Sequence, residues 1–461
     1  MKLLALIALI AATQSTSWLD PYRPIADRLI AQSQSSDFAW RRLAELTDTF
    51  GPRLSGTPNL EQAIDWAAAE MARDGLENVH KEPVMVPKWV RGRESLDLVK
   101  PVAQPLVMLG LGGSVGTPPA GIEAEVLVVQ SFDDLTKRAA EAKGRIVLFN
   151  VPFTDYGTTV AYRRSGAARA ARVGAVASVI RSVGPMGFRT PHTGATAYDA
   201  GVDKIPAAAI PAEDADRFQR LQDRRVPIRV RLKMEAHTEP DAPSFNVVGE
   251  LRGRELPNQV VVVGGHIDSW DVGAGAVDDG GGCIVTWEAL RLMKTMGLRP
   301  RRTVRVVLFT NEENGTRGGD GYRDAHRAEL ANHVAMLESD IGVFNPTGIG
   351  FSFNAGTPPR PGADAAGRAM EAIATLLKPL GADHVLGPGG GTDIEPAAQA
   401  GNIPMIALNE GTVLDSAEYF RVHHTDADNV ARITPRQVSD NAAVVAILAY
   451  VLADMPGRLG Q

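Results

Sequence analysis

Residues 260–279 place one histidine and several carboxylates directly after an apolar run. Valines lead through two glycines to His266, and Asp278 and Asp279 follow on the same short loop. An apolar run of this kind is typical of a buried parallel strand, and open parallel sheets hold ligands beyond the carboxyl ends of their strands. A neutral imidazole beside carboxylate oxygens at such an edge predicts a metal site.

Further candidate ligands follow later strands of the same predicted sheet. Glu312 and Glu313 come directly after one strand, Asp340 follows the next, and His424 supplies a second imidazole near the end of the chain. Adjacent residues after a strand point in different directions, so one glutamate can bind a cation while the other faces a substrate as general base. This donor set suits two zinc ions that share a bridging carboxylate.

Two such ions would predict a hydrolytic reaction. They lower the pKa of a water held between them and polarise a carbonyl group. An unligated glutamate nearby can take the proton of the water and pass it to a leaving amine. A phosphate-binding loop is excluded for the glycine-rich stretch at 273–282, because it lacks the required spacing and carboxylates crowd it.

Strands that alternate with helices predict an α/β fold in more than one part, as a chain of 461 residues requires. From about residue 245 onward the elements are long, which indicates a mostly parallel sheet flanked by helices. An earlier alternation of shorter elements carries few candidate ligands, so we expect an inserted smaller α/β domain. The predicted division is 18–100 for the N-terminal part of the catalytic domain, 101–240 for the inserted domain and 241–461 for the rest of the catalytic domain.

Composition excludes several classes of protein. The net charge of −6 and the lack of a Lys/Arg cluster argue against nucleic-acid binding. The single cysteine, Cys283, excludes an internal disulfide, and its apolar surroundings predict a small buried residue on a helix. The chain therefore depends on its apolar core, with metal as a further source of stability.

An apolar run at residues 3–12 follows Lys2 at the start of the chain. It is too short to span a bilayer, but a basic start, an apolar stretch and small residues before a cleavage point are typical of a secretory signal. We therefore expect residues 1–17 to be a signal peptide. The protein would then be secreted or periplasmic, with no membrane span after the signal is removed, and a buried N-terminal helix is the alternative.

Five blocks of sequence, in order, resemble the co-catalytic zinc exopeptidase family. They are Gly264-Gly-His-Ile-Asp-Ser-Trp-Asp, Asp278-Asp-Gly-Gly-Gly, Asn311-Glu-Glu, Leu337-Glu-Ser-Asp and His424-Thr-Asp-Ala-Asp. The resemblance extends to Gly51-Pro-Arg-Leu-Ser-Gly, Pro191-His-Thr-Gly and Gly391-Thr-Asp-Ile, so it covers nearly the whole chain after the predicted signal.

The resemblance implies a role for each candidate residue. His266 and Asp340 resemble the ligands of one zinc ion, Glu313 and His424 those of the other, and Asp278 the bridge between them. Glu312 resembles the general base, and Asp268 the carboxylate that orients the imidazole of His266. The family also implies a protease-associated domain at 101–240, a cis peptide bond after the bridging aspartate, a small peptide substrate and a homodimer.

Several alternatives stay open. The choice of His424 over His423 as ligand rests on the H-[ST]-x-x-D spacing. The expected activity is that of a carboxypeptidase or dipeptidase, and an aminopeptidase of the same family is the nearest alternative, which the residues do not exclude. A receptor-like or scaffolding relative without catalysis is a different class, and a single-metal aminoacyl cyclase is a third. His192 could contact the substrate, and residues 389–393 could form a wall of its pocket.

Overall fold

The computed structural model describes residues 17–356, 358–410 and 416–460. The predicted signal peptide, residues 1–17, lies outside this part of the chain except for its last residue. The α-helices are α1 (Arg23–Ser33), α2 (Phe38–Phe50), α3 (Pro58–Arg73), α4 (Phe132–Lys137), α5 (Ala139–Ala142), α6 (Tyr156–Arg172), α7 (Ala212–Asp223), α8 (Gly281–Thr295), α9 (Glu312–Gly315), α10 (Arg317–Ala325), α11 (Ala363–Ala374), α12 (Glu395–Gly401), α13 (Ser416–Val422) and α14 (Pro435–Asp454). The strands are β1 (Glu77–Val90), β2 (Glu94–Lys100), β3 (Gln104–Leu106), β4 (Leu109–Gly110), β5 (Ile122–Val129), β6 (Ile146–Phe149), β7 (Ala177–Arg181), β8 (Ala207–Ile210), β9 (Arg229–Met234), β10 (His237–Leu251), β11 (Leu256–His266), β12 (Arg302–Phe309), β13 (His333–Glu338), β14 (Pro346–Ser352) and β15 (Met405–Glu410).

One sheet of seven strands forms the larger part of the molecule, in the order β1-β10-β12-β11-β13-β15-β14. Its central strands β12, β11, β13 and β15 run parallel, whereas β1, β10 and β14 pair antiparallel at the edges. Helices α1, α2, α8 and α14 pack on one face and α10 and α12 on the other. The predicted α/β class, with a sheet flanked by helices, is therefore confirmed.

The four valines at 260–263 show why a central strand of this sheet appears in the sequence as a continuous apolar run. Val261 and Val263 point into the core beneath α8 and α14, and Val260 and Val262 point into the core beneath α10 and α12. Since both faces of a central parallel strand are covered, the sequence has no polar alternation there.

A second sheet of eight strands lies between β1 and β10 in the chain, in the order β3-β2-β9-β5-β6-β7-β8-β4. Strands β5 to β8 are parallel neighbours and the remaining pairs are antiparallel. Helices α4 and α6 cover one face and α7 the other. Because β1 and β10 pair with each other, the chain leaves the first sheet and returns to it beside the strand it left.

Helix α14 closes the core of the first sheet. Its start is a capping box: the Thr434 hydroxyl accepts from the backbone N–H of Gln437, whose side chain accepts in return from the Thr434 N–H, and Pro435 occupies the first turn. Within the described residues, α14 is the one helix long and apolar enough to cross a membrane. It packs against α8 and α1 and most of its residues are buried, as in the core helix of a globular protein.

The start of α8 packs tightly against the ends of the central strands. A Cβ atom on Gly265 would lie 2.3 Å from the carboxylate of Asp279, and one on Gly282 would lie 1.9 Å from the carbonyl oxygen of Ser339. Glycine is required at both positions because the backbones approach so closely. Cys283, next to Gly282, is fully buried in the same core, as predicted.

Gly265→Ala tests this close approach. The added methyl group must displace the Asp279 side chain or the first turn of α8, so we expect the free energy of unfolding to fall by about 1–3 kcal/mol, as for an overpacked core. Urea unfolding followed by tryptophan fluorescence measures the change.

Gly367→Ala is the matched control. Gly367 lies inside α11, and no atom lies within 4 Å of a Cβ added there. Alanine should raise stability by about 0.5–1 kcal/mol through helix propensity alone. If the two variants have the same stability, the tight packing at Gly265 is not a constraint.

Candidate metal centre

The carboxyl ends of the central strands bring the predicted site residues together. His266 ends β11, the two glutamates open α9 after β12, and Asp340 follows β13. Asp278 lies in the turn Ala276–Gly280, where its own backbone is not helical, and His424 follows α13. The register places His266 opposite Phe309 and Gly264 opposite Glu338, so these strands end at one level of the sheet.

Asp278 stands between two groups of side chains. Its Oδ1 lies 3.3 Å from Nε2 of His266, which in turn lies 3.4 Å from Oδ1 of Asp340. Its Oδ2 lies 3.3 Å from Nε2 of His424, which in turn lies 2.9 Å from Oε2 of Glu313. One carboxylate thus presents one oxygen to each of two imidazole–carboxylate pairs. All five residues that the sequence predicts as metal ligands meet here.

The donor atoms of this cluster fit a bound cation. Four buried atoms of the predicted ligands have no hydrogen-bond partner among the described residues. They are Nε2 of His266, Oδ2 of Asp278, Oε1 of Glu313 and Oδ1 of Asp340. A buried polar atom without a partner costs about 1–3 kcal/mol. Imidazole nitrogen and carboxylate oxygen are ligands that zinc accepts, so a cation here would satisfy atoms that the chain leaves unpaired.

The pKa shifts of the clustered carboxyl groups also favour a bound cation. Burial raises the pKa of Glu313 well above its usual value, and the neighbouring charge of Asp278 adds to the shift. Burial likewise raises the pKa of Glu312 to about 8, with a further contribution from Asp340 and Glu313. Burial alone would raise the pKa of Asp278 too, but the two imidazoles hold it well below its usual range. Positive charge supplied by a metal would relieve this crowding of carboxylates.

Asp268 contacts His266 at the end of β11 and also the two glutamates that follow β12. Its backbone carbonyl lies 3.0 Å from Nδ1 of His266 and its Oδ1 lies 3.6 Å from the same atom. A carbonyl can only accept, so Nδ1 carries the proton and Nε2 is free to bind a metal. The carboxylate of Asp268 also accepts from the backbone N–H groups of Glu312 at 3.0 Å and Glu313 at 3.3 Å. The same residue therefore fixes the imidazole tautomer and the start of α9.

Asp428 is a supporting residue to which the sequence reasoning assigned no role. Its Oδ1 accepts from the N–H groups of Ala276 at 2.8 Å and Val277 at 2.7 Å, and its Oδ2 accepts from that of Asp278 at 3.1 Å. It is the final aspartate of the H-[ST]-x-x-D pattern, and this spacing was the feature of the sequence that could have identified it. The peptide bond between Asp278 and Asp279 is cis, as the family resemblance implied.

The segment between β7 and β8 of the second sheet contributes residues that hold His424. The N–H of Thr193 donates to the carbonyl of His424 at 3.0 Å, and Nδ1 of His424 lies 3.4 Å from the carbonyl of Thr193. Nδ1 of His192 donates to the carbonyl of His423 at 2.8 Å. His424 adopts a left-handed backbone with φ of 62°, which a non-glycine residue keeps only where its surroundings hold it. His192 is buried and supports this turn from behind.

His423 lies beside His424, and their rings stack with centroids 3.5 Å apart. Nε2 of His423 is 3.7 Å from Oδ2 of Asp278, against 3.3 Å for His424. Either imidazole belongs to a group that could hold a metal, but only His424 also reaches Glu313. The geometry favours His424 as the ligand.

A cavity of about 400 Å³ opens beside Asp340. Gly389, Gly390 and Gly391 line it together with Ile341, so most of the predicted glycine-rich wall does line a pocket. Asp393 does not line it, because it is fully buried behind the wall.

Comparisons with known proteins agree with this site. A model described as peptidase family M28 matches residues 246–449. Carboxypeptidase Q of Homo sapiens is 47% identical over 431 residues, which cover 94% of this chain and 88% of that protein. Carboxypeptidase Q of Xenopus laevis is 44% identical over 447 residues, which cover 97% and 92% of the two chains.

Solved structures share the fold over the same extent. A peptidase M28 precursor from Shewanella amazonensis SB2B has a TM-score of 0.89 and 34% identity, covering 95% of this chain and 98% of that one. A zinc aminopeptidase from Bacillus subtilis has a TM-score of 0.66 and 20% identity, covering 92% and 96%, and so shares the fold. The high identity over nearly the whole length shows that this chain belongs to peptidase family M28 and is a metallo-exopeptidase related to carboxypeptidase Q.

Proposed function

We propose that this protein is a secreted or periplasmic di-zinc exopeptidase that hydrolyses dipeptides or short peptides; its relatives carry the name carboxypeptidase Q. The observation that carries the proposal is the position of Asp278. One carboxylate with an oxygen toward each of two imidazole–carboxylate pairs is the arrangement that a pair of cations requires.

The proposed ligands divide into two sets around that bridge. His266 and Asp340 would hold one zinc ion, Glu313 and His424 would hold the other, and Asp278 would contribute to both sets. Each imidazole presents Nε2 to the site and keeps Nδ1 near a backbone carbonyl, 3.0 Å away for His266 and 3.4 Å away for His424. Such a contact is the usual way in which a protein fixes a zinc-binding tautomer.

Glu312 is the proposed general base. When bound, two zinc ions supply an activated water and a polarised peptide carbonyl. Glu312 takes the proton of the attacking water and returns it to the leaving amine. Its backbone is held by Asp268, whose carboxylate accepts from the N–H of Glu312 at 3.0 Å.

The remaining parts of the proposal concern the rest of the chain. Residues 18–100 and 241–461 form the catalytic domain, and residues 101–240 form an inserted protease-associated domain beside the cleft. The second sheet and its contacts to His424 support an inserted unit, but that sheet already includes β2 (Glu94–Lys100), so the first boundary in the structure lies between β1 and β2. Residues 1–17 are the proposed signal peptide, and the mature protein is proposed to be a homodimer.

Metal analysis with a peptide panel tests the proposal. We expect two zinc ions per chain and hydrolysis of a free dipeptide. A dipeptide with a blocked carboxyl end and one with a blocked amino end then separate a carboxypeptidase or dipeptidase from an aminopeptidase. Less than one zinc ion per chain and no cleavage of any peptide would instead indicate a non-catalytic relative.

Glu312→Gln tests the general base. The amide keeps the shape of the side chain but cannot accept the proton, so we expect kcat to fall by roughly 10²–10⁴-fold while zinc content stays unchanged. Steady-state kinetics and metal analysis of the same sample measure both. Retained turnover would remove Glu312 from this role.

His424→Ala and His423→Ala, compared with each other, test the choice of ligand. Loss of His424 should remove one of the two zinc ions, whereas loss of His423 should leave both in place because only His424 also approaches Glu313. Zinc retained after dialysis against a chelator measures the difference. The opposite result would assign the ligand to His423.

A further inference from the structure

Arg163 on α6 of the second sheet brings a buried positive charge to the edge of the metal centre. Its side chain is only 5% exposed. Nη1 lies 3.3 Å from Nδ1 of His424, and Nη2 donates to the hydroxyl of Tyr156 at 2.7 Å. The backbone of Gly194 leaves room for it, since a Cβ there would lie 2.4 Å from Cζ of Arg163.

This guanidinium makes no ion pair with a carboxylate of the described residues, and its Nε has no hydrogen-bond partner among them. Buried arginines are rarely left without such a partner. Two other arginines near the site, the fully buried Arg53 and the partly buried Arg91, have acceptors for their guanidinium groups. Arg53 donates to backbone carbonyls through each of its nitrogens, and Arg91 pairs with Asp271.

The contact with His424 cannot satisfy Arg163 in the metal-loaded protein. A guanidinium only donates, so a hydrogen bond to Nδ1 requires that atom to be unprotonated. A histidine that binds a metal through Nε2 carries its proton on Nδ1, where the carbonyl of Thr193 can accept it. Nη1 and Nε of Arg163 are then both without an acceptor in the part of the chain that the structure describes.

We propose that the missing acceptor is the terminal α-carboxylate of the peptide substrate, bound by Arg163 beside the second metal position. This inference rests on the proposed exopeptidase function and names the end of the substrate that the site recognises. A planar guanidinium forms two parallel hydrogen bonds to a carboxylate, which makes arginine the suitable residue.

The aromatic surroundings of Arg163 support a fixed recognition site. The Tyr156 ring stacks on Phe420 with centroids 5.1 Å apart and meets His423 edge-on at 5.2 Å. Its hydroxyl therefore holds Nη2 in a set direction. A guanidinium held in this way loses little conformational freedom when it binds a carboxylate.

Arg163→Met tests the proposal with alanylalanine and its C-terminal amide as the two substrates. We expect kcat/KM for the free acid to fall on the order of 100-fold, as when one partner of a buried charge pair is removed, with a much smaller change for the amide. Arg163→Lys should restore part of the preference for the free acid. Arg164→Met, an exposed neighbour on the same helix, should leave both substrates unaffected.

Two measurements that do not depend on turnover accompany the kinetics. Zinc content should be the same in wild type and Arg163→Met, and calorimetry should show that binding of L-alanine, but not of L-alaninamide, weakens in the variant. An equal loss of kcat/KM on both substrates would overturn the proposal and make Arg163 a positioning residue for His424. No change on either substrate would overturn it as well. Failure of the exopeptidase assignment itself looks different, because wild type would then cleave neither substrate.

Discussion

Carboxylates buried together at one edge of a parallel sheet are the constraint on which the rest of the structure depends. Asp278, Glu313 and Asp340 each leave a buried oxygen without a hydrogen-bond partner among the described residues. Removing a single ion from water already costs several kcal/mol, and like charges at short range add to that cost. The fold therefore concentrates negative charge that cations can balance, and zinc is a metal that imidazole and carboxylate ligands suit.

Such a cluster functions only if its backbone is rigid, and several charged side chains provide that rigidity. Asp428 binds the amides around Asp278, and Asp268 binds those at the start of α9. The fully buried Arg53 donates to the carbonyls of Ile267 and Ala274 and so ties the loop after β11 to the loop after α2. These are hydrogen bonds between charged side chains and the main chain, which are stronger than neutral ones.

The second sheet is part of the same site. Its residue Thr193 pairs with the backbone of His424, which keeps a left-handed conformation there. Arg163 and Tyr156 reach the site from α6, and the guanidinium of Arg163 brings a positive charge to its edge. One part of the chain thus supplies the proposed metal ligands, and the other holds one of them and supplies the proposed contact to the substrate.

The sequence by itself determined the fold class, the central strands and the types of ligand, because these follow from local pattern and side-chain chemistry. The valines before His266 predict a strand covered on both faces, and imidazole with carboxylate after strand ends predicts a metal site. Only the tertiary structure decided that Asp428 fixes the bridging loop, that His424 rather than His423 faces Glu313, and that Arg163 enters the centre. Arg163 lies 261 residues before its contact on His424. Contacts across such distances depend on how two sheets pack against each other, and no local periodicity in the chain records that packing.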